Sequence, residues 1–589
     1  MPPSSPSPSS EAPFGRVTAV RGSSARVGLT ITGESGVPES RATVGRFVSI
    51  RCAAGTIVAM ITEVSHENRR ATDGEHTTVG ANVDFLGQLS TRGGALRFQR
   101  GVTTYPAIGD TVDLTTRQEL LTVYAPNGPA RIHVGHLQQD ESVDVHIDAN
   151  EMLCKHFALL GSTGVGKSTG VSLLLNGMLQ AYPELRIFLL DVHNEYGRCF
   201  GEHAQVLTPR NLKLPFWLFN FEEFVDVLFG RRPGEPEELE ILTEVIPIAK
   251  SLYTRYRKGA RFVPPEALEI GFALDAPVPY RLVDLIAQID DRLGKLENRT
   301  SRMVYHRLIG RIETVRNDPR YAFMFDNANL GGDTMAEVIS HLFRMPAHGK
   351  PMTVMQLAGF PVEVIDSVVS VLCRMAFDFG LWSDGASPLL FVCEEAHRYA
   401  SADRNAGFGP TRKAVSRIAK EGRKYGVYLG LVTQRPAELD ATIMSQCSTL
   451  FAMRLANDRD QALLRSAAPD AAANLLSFLP SLGTREVLAF GEGVALPTRL
   501  RFKDVPSHQL PRGEATMVGA VPMSGRHDID FIRAVVERWR GASSRKTGGP
   551  SSAAGLDEPV SAPPLSPPML QPSLGLDPDR FQLLKKPLR

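Results

Sequence analysis

The chain has 589 residues, room for two or more domains at about 100–200 residues each. With 43% apolar and 22% charged residues it can bury a large core, which excludes a mostly unfolded chain. Its 65 basic and 64 acidic residues nearly cancel, which leaves nucleic-acid binding open, because a grip on phosphate needs local basic groups and not a basic whole.

Residues 1–12 are rich in Pro and Ser and are expected to be disordered; they lack the basic and apolar regions of a secretory leader. From 13 to 140 short strands are predicted, at Arg26–Ile31, Arg46–Ile50, Thr56–Val64 and Thr111–Leu114 among others. Glycines and turn residues separate them, which suggests a small β-barrel used for assembly or docking. The texture then changes to α/β over 141–510. A strand at His156–Leu160, a glycine-rich turn, a helix at Ser168–Leu179 and a buried strand at Arg186–Leu190 open a parallel sheet. Residues 217–345 read as an all-α insertion, clearest in the apolar spacing of Phe221–Phe229 and Leu239–Leu252. Buried strands follow at Leu389–Cys393, Val427–Thr433 and Thr449–Arg454. Residues 511–541 include an amphipathic stretch, Ile529–Trp539, and 542–589 form a Pro/Ser-rich tail expected to be disordered, ending in a short docking peptide at Arg580–Leu588.

The six cysteines (Cys52, Cys154, Cys199, Cys373, Cys393, Cys447) are scattered and form no CxxC pair, which argues against a zinc site and for ordinary thiols in a reducing cytoplasm. No apolar run approaches the ~20 residues of a membrane helix, so a soluble cytoplasmic protein without a membrane partner is expected.

Gly161, Ser162, Thr163, Gly164, Val165, Gly166, Lys167 and Ser168, with Thr169 behind them, match the phosphate-binding pattern G-x-x-x-x-G-K-[ST] between a strand and a helix. The glycines let successive backbone N–H groups converge on phosphate oxygens, and the helix start aims its positive end at the same anion. Lys167 adds a full charge for the β- and γ-phosphates of ATP, and the Ser168 hydroxyl suits Mg2+. The apolar strand Leu389–Cys393 ends in two carboxylates, Glu394 and Glu395, costly to bury without a cation. Glu394 is expected to hold Mg2+ through water, its longer arm replacing the usual Asp; Glu395 is expected to polarise the attacking water. Gln434 ends the strand Val427–Thr433, where a neutral amide can sense the γ-phosphate. Asp191, His193 and Glu195 crowd the end of another strand, a supporting layer around the nucleotide. In the basic stretch Lys413–Lys424, Arg423 is the first candidate for an arginine that completes a neighbouring subunit's ATP site, with Arg454 second. The loop Tyr399–Thr411, running into that stretch, could touch DNA phosphates.

Four motifs in order resemble the HerA family of the HerA–FtsK ring ATPases: LLGSTGVGKST at 159–169, LLDVHNEY at 189–196, EEAH at 394–397 and EGRKYGVYLGLVTQRPAELD at 421–440. The likeness extends over most of 13–541. It implies a P-loop NTPase core of RecA/FtsK type with an all-α insertion and, ahead of it, the family's small N-terminal barrel. It further implies a homohexamer with ATP sites between subunits and duplex DNA in the central channel. A C-terminal brace at 511–541 and a nuclease or defence-effector partner, in DNA repair or anti-phage work, belong to the same expectation. An ATP-driven DNA translocase or helicase is the leading reading. An NTPase ring that assembles an effector with little translocation is the alternative, and a small-molecule kinase is the weakest, because no acceptor motif is visible.

Overall fold

The computed structural model describes residues 13–29, 42–53, 55–71, 74–92, 95–125, 128, 130–230, 234–257, 271–294, 299–326, 332–403, 407–468, 474–512, 533 and 536. The expectations for 1–12, for the brace and its stretch Ile529–Trp539, and for the tail therefore lie outside the described residues, apart from isolated positions.

Seven strands build the first sheet: β1 (Gly15–Arg21), β2 (Ser24–Leu29), β3 (Phe47–Cys52), β4 (Gly55–Ala71), β5 (Gly74–Arg92), β6 (Ala95–Arg100) and β7 (Thr111–Leu114). Their order is β2-β1-β7-β3-β4-β5-β6, and β2 also pairs with β5, so six strands close into a barrel and β6 extends it. Closure removes the free edges that a short-stranded sheet would otherwise expose. The interior is filled by β-branched side chains such as Val17, Val27, Val48, Ile50, Ile57, Ile61, Val83 and Val112. Helix α1 (Arg117–Val123) follows, started by a capping box between Thr116 and Glu119.

The second sheet has eleven strands: β8 (Arg131–Leu137), β9 (Asp140–Asp148), β10 (Phe157–Leu160), β11 (Arg186–Asp191), β12 (Ala204–Leu207), β13 (Met352–Gln356), β14 (Leu389–Glu394), β15 (Val427–Thr433), β16 (Thr449–Ala452), β17 (Glu486–Gly491) and β18 (Thr498–Phe502). The order is β12-β13-β11-β14-β15-β10-β16-β17-β18-β8-β9. From β12 to β16 every pairing is parallel; from β16 to β9 every pairing is antiparallel. The central strands are buried almost throughout, which explains why FALL, IFLL and LLFVC are continuous apolar runs and do not alternate.

The barrel boundary expected at 140 does not hold: the hairpin β8–β9 belongs to the second sheet, through pairs such as Leu500↔Leu137. Local alternation in 131–148 suits either sheet, and only the distant partner β18 decides. The α/β layer thus begins by Arg131. Between β12 and β13 come α4 (Phe221–Phe229), α5 (Pro236–Arg257), α6 (Leu282–Gly294), α7 (Arg299–Asn317), α8 (Ala322–Phe325) and α9 (Met335–Phe343). This helical segment is tied down through Glu223, which caps α4 and is fully buried. Its carboxylate takes Arg374 at 2.8 Å and Ser370 at 2.8 Å, both from α10 (Val362–Trp382), so the buried charge is paired and hydrogen-bonded. Among the described residues, no helix is long and apolar enough to cross a membrane.

Candidate nucleotide site

A parallel sheet presents its ligand at the carboxyl ends of its strands. Here β10, β15, β14 and β11 end side by side, in register at Leu160↔Thr433, Glu394↔Val432 and Leu190↔Cys393. Because β15 lies between β10 and β14, the glycine-rich turn and the paired glutamates stand two strand spacings apart, about 9.5 Å. That gap is the floor of a cavity of about 660 Å³ lined by Ser162, Thr163, Gly164, Gly166, Lys167, Ser168, Thr169, His193, Glu195, Glu394, Glu395 and Gln434, and also by Thr484, Arg485, Pro511 and Arg512.

Gly164 and Gly166 hold φ of +78° and +97°, and a Cβ on Gly166 would fall 2.9 Å from Arg485 Cγ. Glycine is required there by conformation and by space. Gly166 caps α3 (Lys167–Ala181), whose first turn carries no acidic side chain. The helix start is thus free to receive an anion. Gly161 and Val165 close the turn from below: the Gly161 N–H donates to Thr433 O, and Val165 is buried and its carbonyl accepts from Arg485 N. The Ser162 N–H and hydroxyl both donate to Arg454 O at 3.0 Å.

Lys167 is 8% exposed and lies 3.3 Å from Glu395 Oε1. Glu395 is 4% exposed and holds φ of +48°, a left-handed conformation that non-glycine residues adopt at a cost. His397 Nδ1 lies 3.3 Å from its Oε2 and 2.9 Å from Thr433 Oγ1; His193 Nε2 lies 3.8 Å from its Oε1. Burial holds His397 below the usual imidazole range. Beside this pair, the Thr163 hydroxyl donates to Gln434 Oε1 at 2.6 Å, joining the glycine turn to the end of β15.

A second carboxylate group forms behind it. The Ser168 hydroxyl donates to Glu195 Oε2 at 3.0 Å, so Glu195 touches the serine directly instead of sitting one layer back. Asp191, fully buried, accepts the Glu195 and Tyr196 N–H groups at 3.0 Å each, and burial raises its pKa. Glu394 accepts the Val192 N–H at 3.2 Å; burial, then the neighbouring Asp191 and Glu195 charges, push its carboxyl up to about 8. The Ser168 hydroxyl against Glu195, with Glu394 and Asp191 close enough to act on one another, is a hard oxygen donor set. The residues fit Mg2+.

Two expectations fall outside this cavity. Arg423 is exposed in the 3-10 turn Gly422–Tyr425, at the opposite end of β15 from Gln434 and about 20 Å away along the strand. Arg454 contributes its backbone carbonyl to the turn rather than a charge. The described part of the loop Tyr399–Thr411 leads into α11 (Gly409–Glu421), where Arg417 stacks 4.0 Å over Phe377 and pairs with Asp378 at 3.3 Å. Conversely, Arg485 and Arg512 line the cavity without any local motif to announce them. They arrive through long-range pairing: Arg485 O accepts from Phe502 N, and Arg512 N donates to Glu195 O.

The family described as "Helicase HerA, central domain" matches residues 132–376. A probable helicase of Methanocaldococcus jannaschii is 27% identical over 391 residues, 64% of this chain and 68% of that protein. The DNA double-strand break repair helicase HerA of Pyrococcus furiosus is 24% identical over 501 residues, 79% of this chain and 83% of that protein. Among solved structures, VirB4 of Thermoanaerobacter pseudethanolicus aligns with a TM-score of 0.42 at 15% identity, over 65% of this chain and 98% of that one. With the HerA central domain matched in sequence over 132–376 and a P-loop at the carboxyl edge of its sheet, the chain carries a HerA-like ATPase domain.

Proposed function

We propose that the chain is a subunit of an ATP-driven, hexameric double-stranded DNA translocase or helicase of the HerA type, working with a nuclease or effector partner in DNA end processing or defence. The observation that carries the nucleotide half of this reading is the Lys167–Glu395 pair, held at 3.3 Å on the floor of the cavity. A triphosphate seated on the backbone amides of Gly164–Ser168 competes with Glu395 for the Lys167 charge. Glu395 is thereby released to take a proton from water as the water oxygen attacks the γ-phosphorus and the bond to the β–γ bridging oxygen breaks. Ser168 and Glu394 would hold Mg2+, with Glu195 orienting the serine hydroxyl; the ion supplies charge for the phosphate oxygens. Gln434, which accepts a hydrogen bond from Thr163, would report the γ-phosphate to β15. Arg423, outside its own cavity, is assigned to a neighbouring subunit's site. The DNA half of the reading is supported by the relatives, whose names describe helicases and double-strand break repair.

Linear duplex DNA is expected to raise ATP turnover severalfold and to be traversed in a triplex-displacement assay. Stimulation without displacement would favour the alternative, a ring that assembles an effector. Arg423→Ala should preserve assembly, judged by light scattering, and lower turnover by about 10³-fold; wild-type turnover would remove it from the neighbour's site.

The raised Glu394 carboxyl gives a pH prediction. Below about 8 the ligand-free folded protein holds this proton, and a cation bound to the carboxylate displaces it. Binding of Mg2+ with a non-hydrolysable ATP analogue at pH 7 should therefore release close to one proton, read from the buffer dependence of the calorimetric enthalpy. The release should fade above pH 9 and vanish in Glu394→Gln.

A further inference from the structure

The hairpin β8–β9 carries a second cluster of chemistry, distinct from the nucleotide cavity. His133 pairs across the hairpin with His146, and His136 with Asp144. In a regular strand His133 and His136, three positions apart, would face opposite sides. A β-bulge between His133 and Gly135 inserts one residue against β9 and turns His136 back to the side of His133. Gly135 makes the bulge possible: a Cβ there would fall 1.9 Å from the Arg501 carbonyl oxygen of β18.

The result is a convergence of donors. Asp144 Oδ1 lies 3.0 Å from His136 Nδ1 and 3.6 Å from His133 Nε2. The ligand-capable atoms of His133, His136 and Asp144 all fall within 4.8 Å of one another. The ring centres of His133 and His146 are 5.1 Å apart, so the third imidazole stands beside the group. Among the described residues, Nδ1 of His146 is shielded from solvent and has no hydrogen-bond partner, and Nδ1 of His136 faces Asp144 alone. His133 Nε2 lies 3.2 Å from the Gly135 carbonyl oxygen, a contact it would exchange for the ion. Imidazole nitrogens converging beside a carboxylate match the donor preference of a borderline-soft ion and not that of Mg2+. The expectation against zinc rested on the cysteines alone.

We propose that His133, His136 and Asp144 bind one divalent transition-metal ion of the Zn2+ class, with solvent completing the coordination shell. The ion fastens both strands of the hairpin that forms the edge of the second sheet. It takes mainly nitrogen donors, whereas the nucleotide cavity offers mainly oxygen donors.

The test uses the tag-free full chain with Mg2+ in excess, to saturate the carboxylates of the nucleotide cavity. Zn2+ is titrated by calorimetry and Co2+ by visible absorption. One equivalent of Zn2+ is expected, and Co2+ should show the intense bands of a four-coordinate site. His136→Gln should abolish both signals. Asp144→Asn, at an exposed side chain that the fold does not need, should weaken Zn2+ binding at least about tenfold. Glu394→Gln should leave both signals intact. Absence of Zn2+ binding, or an equivalent that survives His136→Gln and Asp144→Asn but is lost in Glu394→Gln, overturns the proposal.

Discussion

Lys167→Ala is expected to abolish ATP binding at micromolar nucleotide, a loss of at least about 100-fold read by fluorescent-analogue titration. The magnitude follows from the bonds removed: charge-assisted hydrogen bonds contribute about 1.5–3 kcal/mol each, and an ammonium between two phosphates makes more than one. The ligand-free protein should be affected as well. Lys167 is the closest cation to Glu395, and the pair is almost wholly buried. Truncating one partner of such a pair costs about 3–5 kcal/mol when nothing replaces it. Here His397 and His193 stand near enough to offset part of that cost. A lowered melting temperature without nucleotide, with no further rise when ATP is added, is the expected pair of results. ATP binding of wild-type strength in this variant would defeat the whole assignment of the cavity.

The second large effect belongs to Glu395→Gln. The amide keeps the shape, and Lys167 stays available for phosphate, so ATP should bind as tightly as before or more so. Turnover should fall by about 10²–10⁴-fold, the usual contribution of a positioned general base. The signature is a split between the two readouts, and Glu394→Gln should not share it. If Glu394 holds the cation, its loss should weaken the Mg2+ dependence of binding as well as turnover. Variants that behave alike would show that the two glutamates do not divide the work as their positions suggest.

Much of this site was legible in the sequence because its parts are local. The glycine turn, Lys167 and Ser168 fall within one strand–turn–helix unit, and Glu394, Gln434 and Asp191 each end an apolar run. A strand end marked by a polar residue is visible without knowing the strand order. The rest depended on distant pairing. Arg485 and Arg512 reach the cavity only because β17 and β18 extend the sheet past β16, and no periodicity in 480–512 reveals that. Likewise, Glu195 against Ser168 follows from the turn Asp191–Tyr196, in which Asp191 gathers two backbone N–H groups and swings Glu195 forward. The boundary at 140 failed for the same reason, since the alternation of β8 does not name its partner.

The barrel, finally, does not have a core of its own alone. Phe47, Val58, Met60, Leu86 and Leu89 from its strands are buried in one continuous cluster with the apolar residues of the second sheet, and Arg100 reaches across to the carbonyl oxygens of Gly491 and Ala495. The N-terminal 130 residues are consequently not a detachable adaptor. A chain cut after residue 125 should keep its two fragments associated until both melt in a single transition, and a chain lacking the barrel should be insoluble rather than merely unable to assemble.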